Sequence, residues 1–200
     1  MQIRNFNYEL SWARLVSDIL SPPIVWALLA FPIAFSEADS TQQAMTWAGL
    51  YILLVCIAPI IYIAWMVKRG SITDIHMKVR QQRLRPFIVS MLTTGIAWFI
   101  LRLMGAPGMM PTLALFSLIQ LAVMALITLA WQISIHAISI SGATVALAVI
   151  FGSIPALLSA PTILIVGAAR IKLKRHTPAQ VIAGTVVGMI VPLALFVVMI

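Results

Sequence analysis

The chain has 200 residues, of which 62% are apolar and 9% charged, whereas soluble globular chains run at about 45–50% apolar and about 25% charged. Its 13 Lys and Arg and 5 Asp and Glu cannot clothe that much apolar surface for water, so the composition excludes a soluble domain along with disordered, collagen-like, coiled-coil and disulfide-scaffold classes. The formal net charge of +8 on so apolar a chain points to anionic headgroups or anionic substrates rather than to nucleic acid.

A bilayer core takes roughly 20 helical residues to cross, and helices are the expected form because lipid offers no partner to an open sheet edge. The first ten residues carry Arg4, Asn5, Asn7 and Glu9, and no small-residue cleavage pattern follows, so no signal peptide is expected. The first apolar run is Ile19–Phe35, followed by a short loop with Glu37 and Asp39 and then by Ala44–Val67, which holds the lone cysteine, Cys56. A basic loop with Lys68, Arg69, Lys78, Arg80, Arg83 and Arg85 leads to Pro86–Met104. An uncharged turn over 105–110 leads to Pro111–Trp131. The next stretch reads as two short crossings, Ala137–Ile154 and Ala156–Ala169, broken by Pro155 and Pro161; the second rises only about 21 Å. A second basic loop with Arg170, Lys172, Lys174 and Arg175 precedes the last run, Pro178–Ile200. The expectation is one all-α domain over residues 1–200, a polytopic integral membrane bundle of six or seven transmembrane helices. With seven crossings, every Lys and Arg except Arg102 lies on one face, and the positive-inside rule makes that face cytoplasmic.

Three histidines and five acids leave a short list for chemistry. No HExxH, CxxC, GxSxG, GxGxxG or phosphate-loop pattern is present, nor a paired-acid metal site, so no metal or other cofactor is expected. What remains is a set of cations and imidazoles at three loop positions: Lys78 with Arg85 and Pro86, Ser134 with His136, and Arg170 with His176 and Gln180. Two crossings separate each cluster from the next, so all three emerge on the basic face. Guanidinium groups give an anion bidentate donors and an ammonium gives it a point charge, which together make a phosphate cradle. Two imidazoles beside it are enough for a nucleophile and a general acid.

The spacings Lys78-x6-Arg85-Pro86, Ser134-x-His136 and Arg170-x5-His176-x3-Gln180 resemble the three-part signature of the type 2 phosphatidic acid phosphatase superfamily. The resemblance covers a motif-bearing core of about 70–190. It departs from the family pattern at Ile133 and Ile135 (Pro and Gly in the family), at Ala169 (Ser) and at Gln180 (Asp). The resemblance implies that Lys78, Arg85, Arg170 and Ser134 bind the phosphoryl oxygens, that His176 is the nucleophile, and that His136 protonates the leaving group. Gln180 would orient His176 without supplying charge, which implies slow turnover. Asp74, the one acid of the first basic loop, would compensate if it folded towards the site.

The remaining polar residues read as ordinary. His76 reads as a solvated loop residue, Gln120 as an interhelical hydrogen bond, and the six tryptophans as packing or interface anchors. The implied function is a metal-independent hydrolase of a lipid or polyprenyl phosphomonoester or diphosphate, multi-pass in the cell membrane with its site on the cytoplasmic face. Its partners would be the lipid phosphate substrate and membrane lipids, with no nucleic acid. The alternative is a non-catalytic protein that binds or translocates anionic lipids with the same cradle.

Overall fold

A computed structural model of the chain describes residues 11–75, 77 and 79–199. Helices dominate, and no strand occurs among the described residues. The chain opens with α1 (Trp12–Ile19), whose cap Ser11 accepts the Arg14 N–H through its hydroxyl. Ala13 and Ser17, one turn apart, face inward. The chain breaks at Leu20–Ser21, and α2 (Pro22–Glu37) starts on two prolines, where missing N–H groups are harmless. The two helices meet at a 46° bend.

Ser40 caps α3 (Thr41–Tyr51), which runs through a wider turn over Ile52–Ile57 into α4 (Ala58–Lys68). In that turn the Ala58 N–H reaches back to the Leu53 carbonyl. The added residue relieves the clash that the Pro59 ring would make with the preceding turn. A 3-10 turn over Arg80–Arg83 leads into α5 (Leu84–Leu103), followed by α6 (Met109–Ala130), α7 (Ile135–Phe151), α8 (Ser153–Ser159), α9 (Pro161–Lys172) and α10 (Pro178–Met199).

Five stretches are long and apolar enough to cross a membrane: Thr41–Lys68, Arg80–Leu103, Met109–Ala130, Ser153–Lys172 and Pro178–Leu195. The bent α1–α2 pair makes a sixth if it counts as one span. Large apolar side chains on the long helices point outward, among them Leu28, Ile61, Leu92, Leu126 and Leu164. A surface of that kind suits lipid, not water.

The structure redraws the weakest part of the sequence reading. The break falls at Gly152, whose φ of 89° only glycine adopts easily, rather than at Pro155. Pro155 lies in the first turn of α8, where no N–H is needed, and Pro161 starts α9. The second of the two short crossings is therefore longer than the sequence reading gave it, part of a 20-residue stretch, Ser153–Lys172.

The centre of the bundle is α7, in which every residue from His136 to Thr144 is buried. It packs closely on α10 along Gly184 and Gly188: a Cβ on Gly184 would lie 2.7 Å from the Ser134 carbonyl oxygen and 3.2 Å from the Ala137 Cβ, closer than atoms normally approach. This small-xxx-small contact lets the two backbones run side by side and brings both N-termini to the same end. At the opposite end, the Glu37 carboxylate accepts the Met109 and Met110 N–H groups at 3.0–3.2 Å and caps α6.

Candidate functional site

The close packing of α7 on α10 fixes where the chemistry lies. Ser134 caps α7 by accepting the Ala137 N–H, and its own N–H donates to the Gln180 carbonyl at 3.1 Å. This link joins the start of α7 to the start of α10. His136 and His176 therefore share the wall of one cavity of about 390 Å³, together with Arg83 and Arg170. The remainder of the wall is mostly apolar, including Trp26, Val55, Ile63, Phe87 and Met124. One end of the cavity is cationic and the rest suits hydrocarbon. Both helix N-termini add partial positive charge at the cationic end.

The tautomer of His176 follows from its neighbours. Thr177 and Gln180 form a reciprocal cap: the Gln180 N–H donates to Thr177 Oγ1 at 3.3 Å, and the Thr177 N–H donates to Gln180 Oε1 at 3.0 Å. Because a backbone N–H can only donate, the amide oxygen of Gln180 must face it. The same oxygen lies 3.3 Å from His176 Nδ1, so Nδ1 carries the proton and Nε2 keeps its lone pair. Burial pushes the His176 imidazole down to about 4, and the charges of Arg170, Arg83 and Arg175 act in the same direction, against the Gln180 hydrogen bond. At neutral pH the ring is an uncharged base.

The two arginines are buried with capacity to spare. Arg170 donates from Nη1 to Ser17 Oγ at 2.9 Å, while its Nε–H has no protein partner. Arg83 donates from Nε to the Met77 carbonyl at 2.9 Å and leaves Nη1 unmatched. Leaving a buried charged donor unmatched is expensive, so such groups are normally paired. Asp18, exposed at the cavity wall, is the one carboxylate lining it among the described residues. His136 holds Ser17 from the other side: its Nε2 lies 3.1 Å from the Ser17 carbonyl oxygen. A carbonyl can only accept, so that nitrogen carries a proton.

Of the residues chosen from sequence, the structure gathers His136, His176, Gln180 and Arg170. It does not bring Ser134 or Arg85 to the cavity. Ser134 is fully buried beneath the α7 terminus, its hydroxyl used as a cap. Arg85 is exposed, because two positions along a helical turn rotate a side chain to the opposite face. Arg83 takes the inward direction instead. Lys78 and His76 lie outside the described residues. Asp74 pairs with Arg175 at 3.7 Å, next to His176 in sequence but not on its ring. Among the described residues, no three His, Cys, Asp or Glu side chains gather as a metal site.

Sequence reasoning missed Ser17, Asp18 and Arg83. The Ser17–Asp18 pair stands just before the first apolar run, outside the motif-bearing core, and its only signal was the helical spacing of Arg14, Ser17 and Asp18 among apolar residues. Family models, curated proteins and solved structures were compared with this chain, and none matched.

Proposed function

We propose that the protein is a metal-independent lipid phosphatase. The observation that carries this reading is the pair of buried guanidinium groups with unmatched N–H donors beside a neutral imidazole, all on one cavity wall. A phosphate monoester supplies the missing acceptors and charge, and its lipid tail fits the apolar remainder of the cavity. His176 Nε2 attacks phosphorus and the ester P–O bond breaks. His136 enters the cycle as the imidazolium, with its Nε2–H held by the Ser17 carbonyl, and gives its Nδ1 proton to the departing alkoxide. Water then attacks the phosphohistidine, His136 takes up the proton released, and inorganic phosphate leaves. Arg83 and Arg170 hold the equatorial oxygens through both steps, where their charge counts most.

The spacing resemblance supports the same roles for His136, His176 and Arg170, with Arg83 standing in for Arg85. On this reading the chain is multi-pass in the cell membrane, and its basic end, with the site, faces the cytoplasm by the positive-inside rule. One observation favours the binding or translocating alternative: Gln180 is neutral, and its oxygen already serves the Thr177 cap. The test is phosphate release by detergent-purified protein from a panel of lipid monophosphates and prenyl diphosphates, with His176→Ala alongside. Release that vanishes in the variant supports the phosphatase. Binding of the same lipids with no release by either protein selects the alternative.

A further inference from the structure

Deeper in the cavity lies a second polar group that hydrolysis does not need. Gln120 and Ser139 both line it, and both are almost fully buried, with 5% and 2% exposure. Neither Gln120 Nε2 nor Ser139 Oγ finds a protein partner, so Gln120 does not make the interhelical hydrogen bond that its mid-span position suggested. An unmatched amide N–H and hydroxyl at this depth, where apolar isosteres would pack at no such penalty, are the mark of a site for a hydrogen-bond acceptor.

Their position relative to the phosphate end is set by α7. Ser139 follows His136 by three residues, about 4.5 Å along the axis. The Gln120 amide abuts Gly142, where a Cβ would lie 2.9 Å from Nε2, and Gly142 is six residues past His136, about 9 Å along the axis. The two donors thus bracket a depth of roughly 4.5–9 Å below the phosphate end. In an acylated glycerol phosphate the nearer acyl carbonyl is joined to phosphorus through five bonds, a reach of about 6 Å at ordinary bond lengths. Prenyl phosphates carry only hydrocarbon at that depth. The inner phosphate of a prenyl diphosphate would place charge beside two neutral groups in an apolar wall, which is unfavourable.

We propose that Gln120 and Ser139 form an acyl-carbonyl subsite, so that the lipid phosphate taken by this cavity is an acyl-bearing phospholipid and not a prenyl phosphate. The inference rests on the cavity being a lipid phosphate site but not on turnover. It is tested by affinity, measured by native mass spectrometry of the detergent-solubilised protein with three probes: dioleoyl phosphatidic acid, its di-O-alkyl ether counterpart, and a polyprenyl phosphate. The ester lipid is expected to bind about tenfold more tightly than the ether lipid, the worth of one good hydrogen bond. Gln120→Leu, which replaces an unmatched amide by an apolar side chain of similar size, is expected to bring that ratio close to one while holding or raising the melting temperature. Equal affinity for ester and ether lipids in the wild-type protein would overturn the subsite, as would tighter binding of the polyprenyl phosphate. The wild-type comparison decides the matter even if the variant fails to fold. Phosphate release measured in parallel separates the two claims: a tenfold ester preference without release defeats the phosphatase and leaves the subsite standing.

Discussion

Replacing Gln180 by Glu isolates the electrostatic part of the site. The substitution keeps length and shape, and Glu is as good as Gln at the third position of a helix cap, so the Thr177 pairing survives. What changes is the charge 3.3 Å from His176 Nδ1. At an effective dielectric of about 20, a full negative charge at that distance attracts an imidazolium by about 5 kcal/mol. Part of this is offset by desolvation of the new carboxylate, and the cations of Arg170, Arg83 and Arg175 continue to oppose protonation. A carboxylate so close raises a neighbouring cation's pKa by roughly 1–3. His176 is therefore expected to move from about 4 in the wild-type protein to roughly 5–7 in Gln180→Glu. NMR titration of histidine-labelled protein reads this directly, because the chain has only 3 histidines and His176→Asn assigns the signal. A wild-type His176 that titrates near 6.5 would refute the burial argument, and a midpoint that does not move in Gln180→Glu would refute the hydrogen bond. If the protein is a phosphatase, the same variant is expected to hydrolyse faster, since the carboxylate stabilises the imidazolium character that develops during attack.

The depressed His176 value also sets a pH dependence of stability. The unfolded chain binds a proton at this residue below about 6.5 and the folded chain only below about 4. Stability is therefore full above pH 6.5 and declines by about 3 kcal/mol as pH falls through that window, a slope that His176→Asn should flatten in denaturation at fixed detergent. Arg83→Ala is expected to weaken binding of a lipid phosphate by about 10- to 100-fold, the value of a charge-assisted hydrogen bond, whereas Arg85→Ala should leave it within about twofold; equal losses would return Arg85 to the site. Gly184→Val forces a Cβ against the Ser134 carbonyl, and is expected to destabilise the protein by about 1–3 kcal/mol in thermal unfolding and to weaken lipid binding with it, because α7 and α10 carry the two histidines. A variant with an unchanged melting temperature would show that the two helices do not need so close an approach.

Much of this was legible in the sequence because the bilayer narrows the choices. Apolar runs of spanning length must be helices, and their order was read correctly from Ala44 through Trp131. The start of the chain was less legible: α1 carries Arg14, Ser17 and Asp18, too polar and too short to register as a span, yet its Ser17 holds both Arg170 and His136. Spacing brought out His136, Arg170, His176 and Gln180, because residues clustered at the ends of packed helices keep their sequence intervals. The same reasoning chose Arg85, whereas the structure turns Arg83 inward. That direction depends on the rotation of the 3-10 turn over Arg80–Arg83, which no interval encodes. Ser134 illustrates a similar limit: at a helix start, a serine spaced for phosphate is equally spaced to cap, and burial under α10 decides for the cap.

The most direct test of the account is to trap the covalent intermediate. Purified protein is mixed briefly with a lipid phosphate labelled on phosphorus, quenched in alkali and resolved by gel. The account predicts a protein-bound label that is stable to base and released by acid, present in the wild-type chain and absent in His176→Asn. Label that persists in His176→Asn, or phosphate release by the wild-type protein with no label formed at any quench time, would contradict it.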